Sequence, residues 1–408
     1  MQRDFGGFDP SFIGITTRLG SERAFNFYKF FVSSSDPPNV SNFPEEIRFK
    51  ALALASVVSH EVRHFHDFLL TPYSARVFKT RIEAFINIFQ VLPYLFKPEA
   101  NCLPLPISLW CKLDECERET VLKNLPPRSD GKLWSPVSLP NFNLLDEDIP
   151  KSSELREHGE DAIRFLIHIG ATAIKRIRQF TYNPRMVSNS VSFQPWQIFE
   201  MSGLMVQLQD IYHQYGADET QFFISCLSKQ SNPYAEALNL AYSMLYRHEI
   251  VDHDMVNLAV TWSLFGSYSK DAWNACPTER FMRIWDHLRK RDRRYDLSDC
   301  MDIFNTWSRD LNLSTVEEGI MDATKTYTRL RDNLERNWKH LENSRNASLL
   351  LPLRRVLDGM VKANAHMVSL FVNSPNEYVY SKSYVNSACN FVNPIHRMMF
   401  RVVQFCSR

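Results

Sequence analysis

The sequence predicts a mainly α, multi-helix protein with little β structure, and three observations point there. Glycine supplies only 12 of 408 residues, well under the usual ~7%, which disfavours turn-rich β architectures. Several stretches pair helix start and stop residues with apolar interiors too long for strands. The 29 Phe residues supply bulk for large buried interfaces between helices.

Each element follows in chain order. The N-terminal forty residues are aromatic and turn-rich and end at Asp36-Pro37-Pro38. A helix then begins around Ser41-Asn42-Phe43-Pro44-Glu45-Glu46. Cap-type residues, a first-turn proline and two acids there suit a helix N-terminus. It continues through Ala51-Leu52-Ala53-Leu54-Ala55 to Leu70, and Thr71-Pro72 stops it. Its middle is apolar on every side, the pattern of a buried central helix. A second helix over 74–91 folds back as a hairpin. Residues 93–111 are Pro-rich and irregular, and 125–153, with Asp146-Glu147-Asp148 among its prolines, reads as a loop or linker. Helices are expected over 154–180, 195–215, 217–229, 234–249, 253–266, 278–291 and 314–345. The last opens with a capping box at Ser314-Thr315-Val316-Glu317. A final helical unit over 350–374 precedes a β-like stretch, Glu377-Tyr378-Val379-Tyr380. The expected organisation is an N-terminal region 1–124, a linker 125–153 and a helical region 154–408. No internal repeat or low-complexity tract is present.

Apolar residues make up 44% and charged residues 23%, the balance of a globular chain rather than a disordered one. Forty-seven Lys+Arg against 46 Asp+Glu leave a net charge of +1, so no global field draws in nucleic acid or an anionic membrane. The longest apolar run, Ala51 to Val58, falls far short of the ~20 residues that span a bilayer. The start, Met1-Gln2-Arg3-Asp4-Phe5, lacks the pattern of a secretory signal. The eight cysteines (102, 111, 116, 226, 276, 300, 389, 406) contain no CxxC pair and read as reduced, mostly buried thiols. A cytoplasmic protein is the expectation.

One motif carries chemistry. His60-Glu61-Val62-Arg63-His64 is HExxH, inside a segment already assigned to a helix. The i, i+4 spacing puts both imidazoles on one face, able to hold one Zn²⁺ at about 2.0–2.1 Å. Glu61 follows the first ligand and so lies beside the metal, where a general base must sit to take a proton from water. Asp67, one turn beyond His64, is placed to orient a ligand.

The segment resembles the zincin metallopeptidases over the active-site helix and one further helix, not over the whole chain. Arg63 departs from the strict pattern, which prefers uncharged residues inside the motif. It could point outward or pair with an acid. The metzincin extension is absent, since Asp67 and Leu70 stand where Gly and a third His belong. The resemblance is therefore to the gluzincin branch, which implies a third ligand from a glutamate on a later helix.

Two glutamates compete for that place. Glu83 follows His64 after eighteen residues, a spacing similar to that of gluzincin aminopeptidases, although it shares a helical face with Arg76, Thr80, Asn87 and Gln90. Glu200 lies in Pro195-Trp196-Gln197-Ile198-Phe199-Glu200-Met201-Ser202-Gly203, on a helix apolar almost all round. Burial there demands a cation or strong donors. Ser202 and Gly203 are small enough for a neighbouring helix to come close, and E-x-x-G resembles the third-ligand helix of several zincins. Glu200 is preferred, Glu83 is second, and Asp67 or a group of the 248–254 stretch is the remaining alternative.

Weaker patterns stand beside it. His248-Glu249-Ile250-Val251-Asp252-His253-Asp254 lacks the second E-x-x-H of a di-iron bundle and reads as a polar helix junction. Arg289-Lys290-Arg291-Asp292-Arg293-Arg294 reads as a solvated helix end. A phenol of the tail Tyr378-Val379-Tyr380-Ser381-Lys382-Ser383-Tyr384 could steady an oxyanion. No phosphate loop or GxSxG elbow is present.

The leading expectation is a Zn²⁺-dependent hydrolase, a metallopeptidase with Glu61 as base and His60, His64 and Glu200 as ligands. It acts on a protein or peptide substrate, leaves room for a regulatory protein partner, and involves neither nucleic acid nor membrane. The alternative is a non-catalytic helical binding or assembly protein with a structural metal site.

Overall fold

A computed structural model describes residues 6–9, 14–17, 39–95, 114, 116–117, 120, 194–229, 238–239, 253–269, 272–290, 295–341 and 347–380. Among them the chain is mainly helical. Strands β1 (Gly6–Asp9) and β2 (Gly14–Thr17) form an antiparallel hairpin pairing Gly6 with Thr17 and Asp9 with Gly14. The helices are α1 (Glu45–Leu70), α2 (Pro72–Leu95), α3 (Pro195–Tyr215), α4 (Ala217–Ser228), α5 (His253–Leu264) and the single turn α6 (Ala272–Ala275). They continue with α7 (Pro277–Lys290), α8 (Cys300–Asp310), α9 (Val316–Leu341), α10 (Ala347–Asn373) and α11 (Pro375–Tyr380). The expected helices over 154–180 and 234–249 and the linker 125–153 lie outside the described residues, apart from a short helical stretch at 238–239.

The chain divides into two units. One takes Met1–Arg76, Phe180–Thr328 and Asp358–Arg408; the other takes Val77–Gln179 and Arg329–Leu357. The first carries the candidate site. Its central element is α1, which opens after Pro44 with Glu45 and Glu46 in the first turn, complementing the helix dipole. Ala51, Leu52, Leu69 and Leu70 are fully enclosed. Pro72 disfavours helical backbone at the residue before it, and Thr71 is accordingly extended, at φ −94° and ψ 139°. The carbonyls left over at the end of α1 are satisfied from a distance. Tyr327 donates to Phe68 O at 2.6 Å, and Asn364 to Leu69 O at 2.8 Å.

Helix α3 packs antiparallel to α1. Gln207 donates to Ser56 at 3.0 Å, Gly203 faces His60, and Glu200 meets His64, so contacts descend one helix as they climb the other. Val62 and Val206 are buried together with Val58 against them, each adding about 1.5–3 kcal/mol when fully buried. Elsewhere in the unit, Arg280 stacks 3.8 Å over the Trp262 ring and donates to Trp262 O and Ser314 O. A methyl on Gly319 would come within 2.1 Å of Phe265 O, so only glycine permits this approach of α9. In the second unit, Arg354 forms a fork with Glu335 and lies over Trp338.

Two local expectations need correction, and one helix lies where none was expected. Residues 377–380 are helical rather than β-like, because α11 begins on Pro375 and side chains of the core satisfy its last carbonyls. Helix α8 was not foreseen; Asp299 caps it by accepting from Met301 N at 2.9 Å and Asp302 N at 3.1 Å. The capping box of α9 lies one residue later, between Thr315 and Glu318. Ser314 is drawn off instead to Ser267 N and Arg280. No helix among the described residues is long and apolar enough to cross a membrane.

Candidate metal centre

The site is built where two polar residues one turn apart on α1 meet one residue of α3. His60 and His64 project from the same face, their rings 4.6 Å apart and nearly perpendicular. Glu200 reaches them from α3, whose first turns are held by the Tyr73–Phe199 ring contact at 5.6 Å and by the reciprocal Gln194–Gln197 cap. His60 can come this close because residue 203 is glycine: an added Cβ would stand 2.9 Å from the His60 ring.

Three atoms converge. His60 Nε2 and His64 Nε2 are 2.9 Å apart, and each is 3.2 Å from Glu200 Oε2. With the Glu200 carboxyl ionised, no placement of protons satisfies all three edges of this triangle. If both imidazoles direct N–H to the carboxylate, two donors face each other; if one gives up its proton, a lone pair faces the carboxylate. A cation satisfies all three at once. Ligand atoms on a tetrahedral zinc stand about 3.3 Å apart at bond lengths of about 2.0–2.1 Å, so the two imidazoles and the carboxylate fit that ion. The three side chains are 15%, 8% and 24% exposed, enough for access from solvent.

The electrostatics reflect the same crowding. Burial pushes the His64 imidazole down, but Glu200 beside it, aided by Glu61 and Asp67, raises it to about 9. Burial raises the Glu200 carboxyl, and His64 and His60 more than reverse this, leaving it well below the usual carboxylate range. Glu61 is 5% exposed, and its charge acts on His64.

The structure brings His60, His64 and Glu200 together as the metal-capable group among the described residues. Glu83 is not in it; its carboxylate is buried and lies 3.4 Å from Lys79 on its own helix. Asp67 belongs to a different cluster, pairing with Arg63 at 3.0 Å and accepting from the Tyr378 hydroxyl. That bond also commits the Tyr378 phenol. Arg63 therefore points inward, not to solvent. His66 is an enclosed core imidazole, lowered to about 3 by burial and by the Arg63 charge. Residues 248–252 and 291–294 lie outside the described set, while Arg289 and Lys290 are exposed and pair with Asp286. Sequence reasoning missed the reach of Arg63, although its i, i+4 spacing to Asp67 was a visible signal. Comparisons with family models, curated proteins and solved structures return no match for the chain.

Proposed function

We propose that the chain is a zinc-dependent hydrolase, a metallopeptidase acting on protein or peptide substrates in the cytoplasm. The observation that carries the reading is the convergence of His60, His64 and Glu200, with HExxH on one buried helix and the carboxylate on its antiparallel neighbour. When bound, zinc would supply a Lewis acid and acidify water. His60 and His64 offer ring nitrogens on one face, and Glu200 supplies the anionic donor. Gly203 leaves room for the His60 ring. Glu61, buried one residue after His60, receives the proton of the attacking water and passes it to the leaving amine. The alternative, a helical binding or assembly protein with a structural metal, calls for four protein ligands. Three converge among the described residues, the number that leaves a position for substrate.

The reading is tested by incubating the zinc-loaded parent and Glu61→Gln with a peptide library and following new amine termini. Cleavage by the parent and none by a variant of equal zinc content supports it. Absence of cleavage by a zinc-loaded parent, or equal cleavage by both, removes it.

A further inference from the structure

Arg63 sits inside the motif, one residue before His64, yet its side chain leaves the site. Its Nε–H donates to Ser202 Oγ at 2.9 Å, and Asp67 Oδ1 forms an ion pair with the same nitrogen at 3.0 Å. One Nη donates to Tyr378 O at 2.7 Å and the other to Thr261 Oγ1 at 3.2 Å, while the guanidinium carbon lies 3.8 Å over the Tyr378 ring. The guanidinium is a rigid planar fork, so α1, α3, α5 and α11 all meet one fixed group.

Only the Ser202 bond among these reaches the helix that carries Glu200. At about 100° per residue, Ser202 lies roughly 160° around the α3 axis from Glu200. Beside the ties further along at Gln207–Ser56 and Ser59–Asp210, the helix is thus held to α1 on two different sides near Glu200, at the imidazoles and at the guanidinium, which together constrain its rotation there. A donor constellation must be held to about 0.5 Å. At a side-chain radius of about 6 Å, that tolerance is a rotation of only about 5°.

We propose that Arg63 is a positioning residue for the metal centre: through Ser202 it sets the rotation of α3 and so places Glu200 Oε2 against His60 and His64. This inference rests on the zinc reading of the site. The Thr261 and Tyr378 contacts anchor α1 to α5 and α11 and make no bond to α3 themselves.

The test titrates Co²⁺ into the full chain as parent, Ser202→Ala, Ser202→Cys and Thr261→Val, reading the visible absorption of the bound ion and thermal unfolding in parallel. Ser202→Ala and Thr261→Val each remove one acceptor from the same guanidinium. The Asp67 bond remains in all of them, so similar falls in unfolding midpoint are expected. Ser202→Ala is expected to bind Co²⁺ about 10-fold more weakly and with an altered spectrum. Ser202→Cys, which keeps a weaker acceptor, falls between it and the parent, and Thr261→Val keeps the parent's affinity. Unchanged affinity in Ser202→Ala, or equal losses in Ser202→Ala and Thr261→Val, overturns the positioning role while the metal site stands. A parent that gives no Co²⁺ spectrum overturns the zinc reading and this inference with it.

Discussion

On α1, residues 60 and 64 face one polar cluster and residues 63 and 67 face another, and the two are built in opposite ways. The Arg63 cluster is closed: side-chain exposure is 1% for Arg63 and 0% for Asp67, and donors are matched to acceptors from four helices. The His60–His64–Glu200 cluster is partly open, and its three nearest polar atoms are all able to act as acceptors within 3.2 Å of one another. A buried polar group persists when its partners are present. The first cluster carries its partners within the chain except at Asp67 Oδ2, whereas the second has the geometry of donors arranged around a cation. On the proposed reading, the same stretch of helix separates a fastening from a reactive site, with the fastening on the flank of the site.

Variants on either side sharpen or break this contrast. The largest effect is expected from Glu61→Gln, which leaves zinc bound but cannot take a proton; kcat should fall by about 10²–10⁴, measured on any peptide the parent cleaves. Undiminished turnover would erase the chemical distinction between the clusters. Next is Arg63→Met, which strands the buried Asp67 carboxylate. Breaking a fully enclosed pair costs about 3–5 kcal/mol, read from denaturant unfolding, and a loss of well under 1 kcal/mol would mean that the cluster is not closed. Gly203→Ala acts on the open side. Its methyl, 2.9 Å from the His60 ring, should weaken zinc binding by about 1–3 kcal/mol, seen by competition with a chromophoric chelator. Unfolding should move little, because the partly exposed ring can yield. A Gly203→Ala protein with parental zinc affinity would contradict the close seat of His60. Smallest is Lys50→Ala, which removes an exposed i, i+4 contact with Glu46 and should leave both unfolding and zinc content unchanged; a clear fall in either would extend the site beyond the two clusters.

Much of this was legible along the chain. The central helix shows itself by its all-round apolar middle and its stop at Thr71-Pro72, and the HExxH spacing puts His60 and His64 on one face of it. Glu200 was readable because a carboxylate on an apolar helix needs a cation or strong donors, and Ser202 and Gly203 because small residues permit close approach. The capping of α11 was not legible. Glu377-Tyr378-Val379-Tyr380 has the aromatic and β-branched composition of a strand. Its helix is completed by donors from far away in sequence: Arg63 to Tyr378 O, and Gln209 and Asn257 to Val379 O. The role of Arg63 was hidden for the same reason, since Thr261 and Tyr378 lie roughly 200 and 300 residues downstream and only the packed fold brings them to it. Choosing Glu200 over Glu83 was likewise a matter of tertiary geometry: a helical spacing shared with other proteins does not reveal that Glu83 is engaged with Lys79.

The most direct test is the metal content of the purified parent, His60→Ala, Glu83→Ala and Glu200→Ala proteins, measured by elemental mass spectrometry. The account predicts about one zinc per chain in the parent and in Glu83→Ala, and its loss in His60→Ala and Glu200→Ala. A parent free of zinc after purification without chelator, or a Glu200→Ala protein that keeps its zinc, would contradict it.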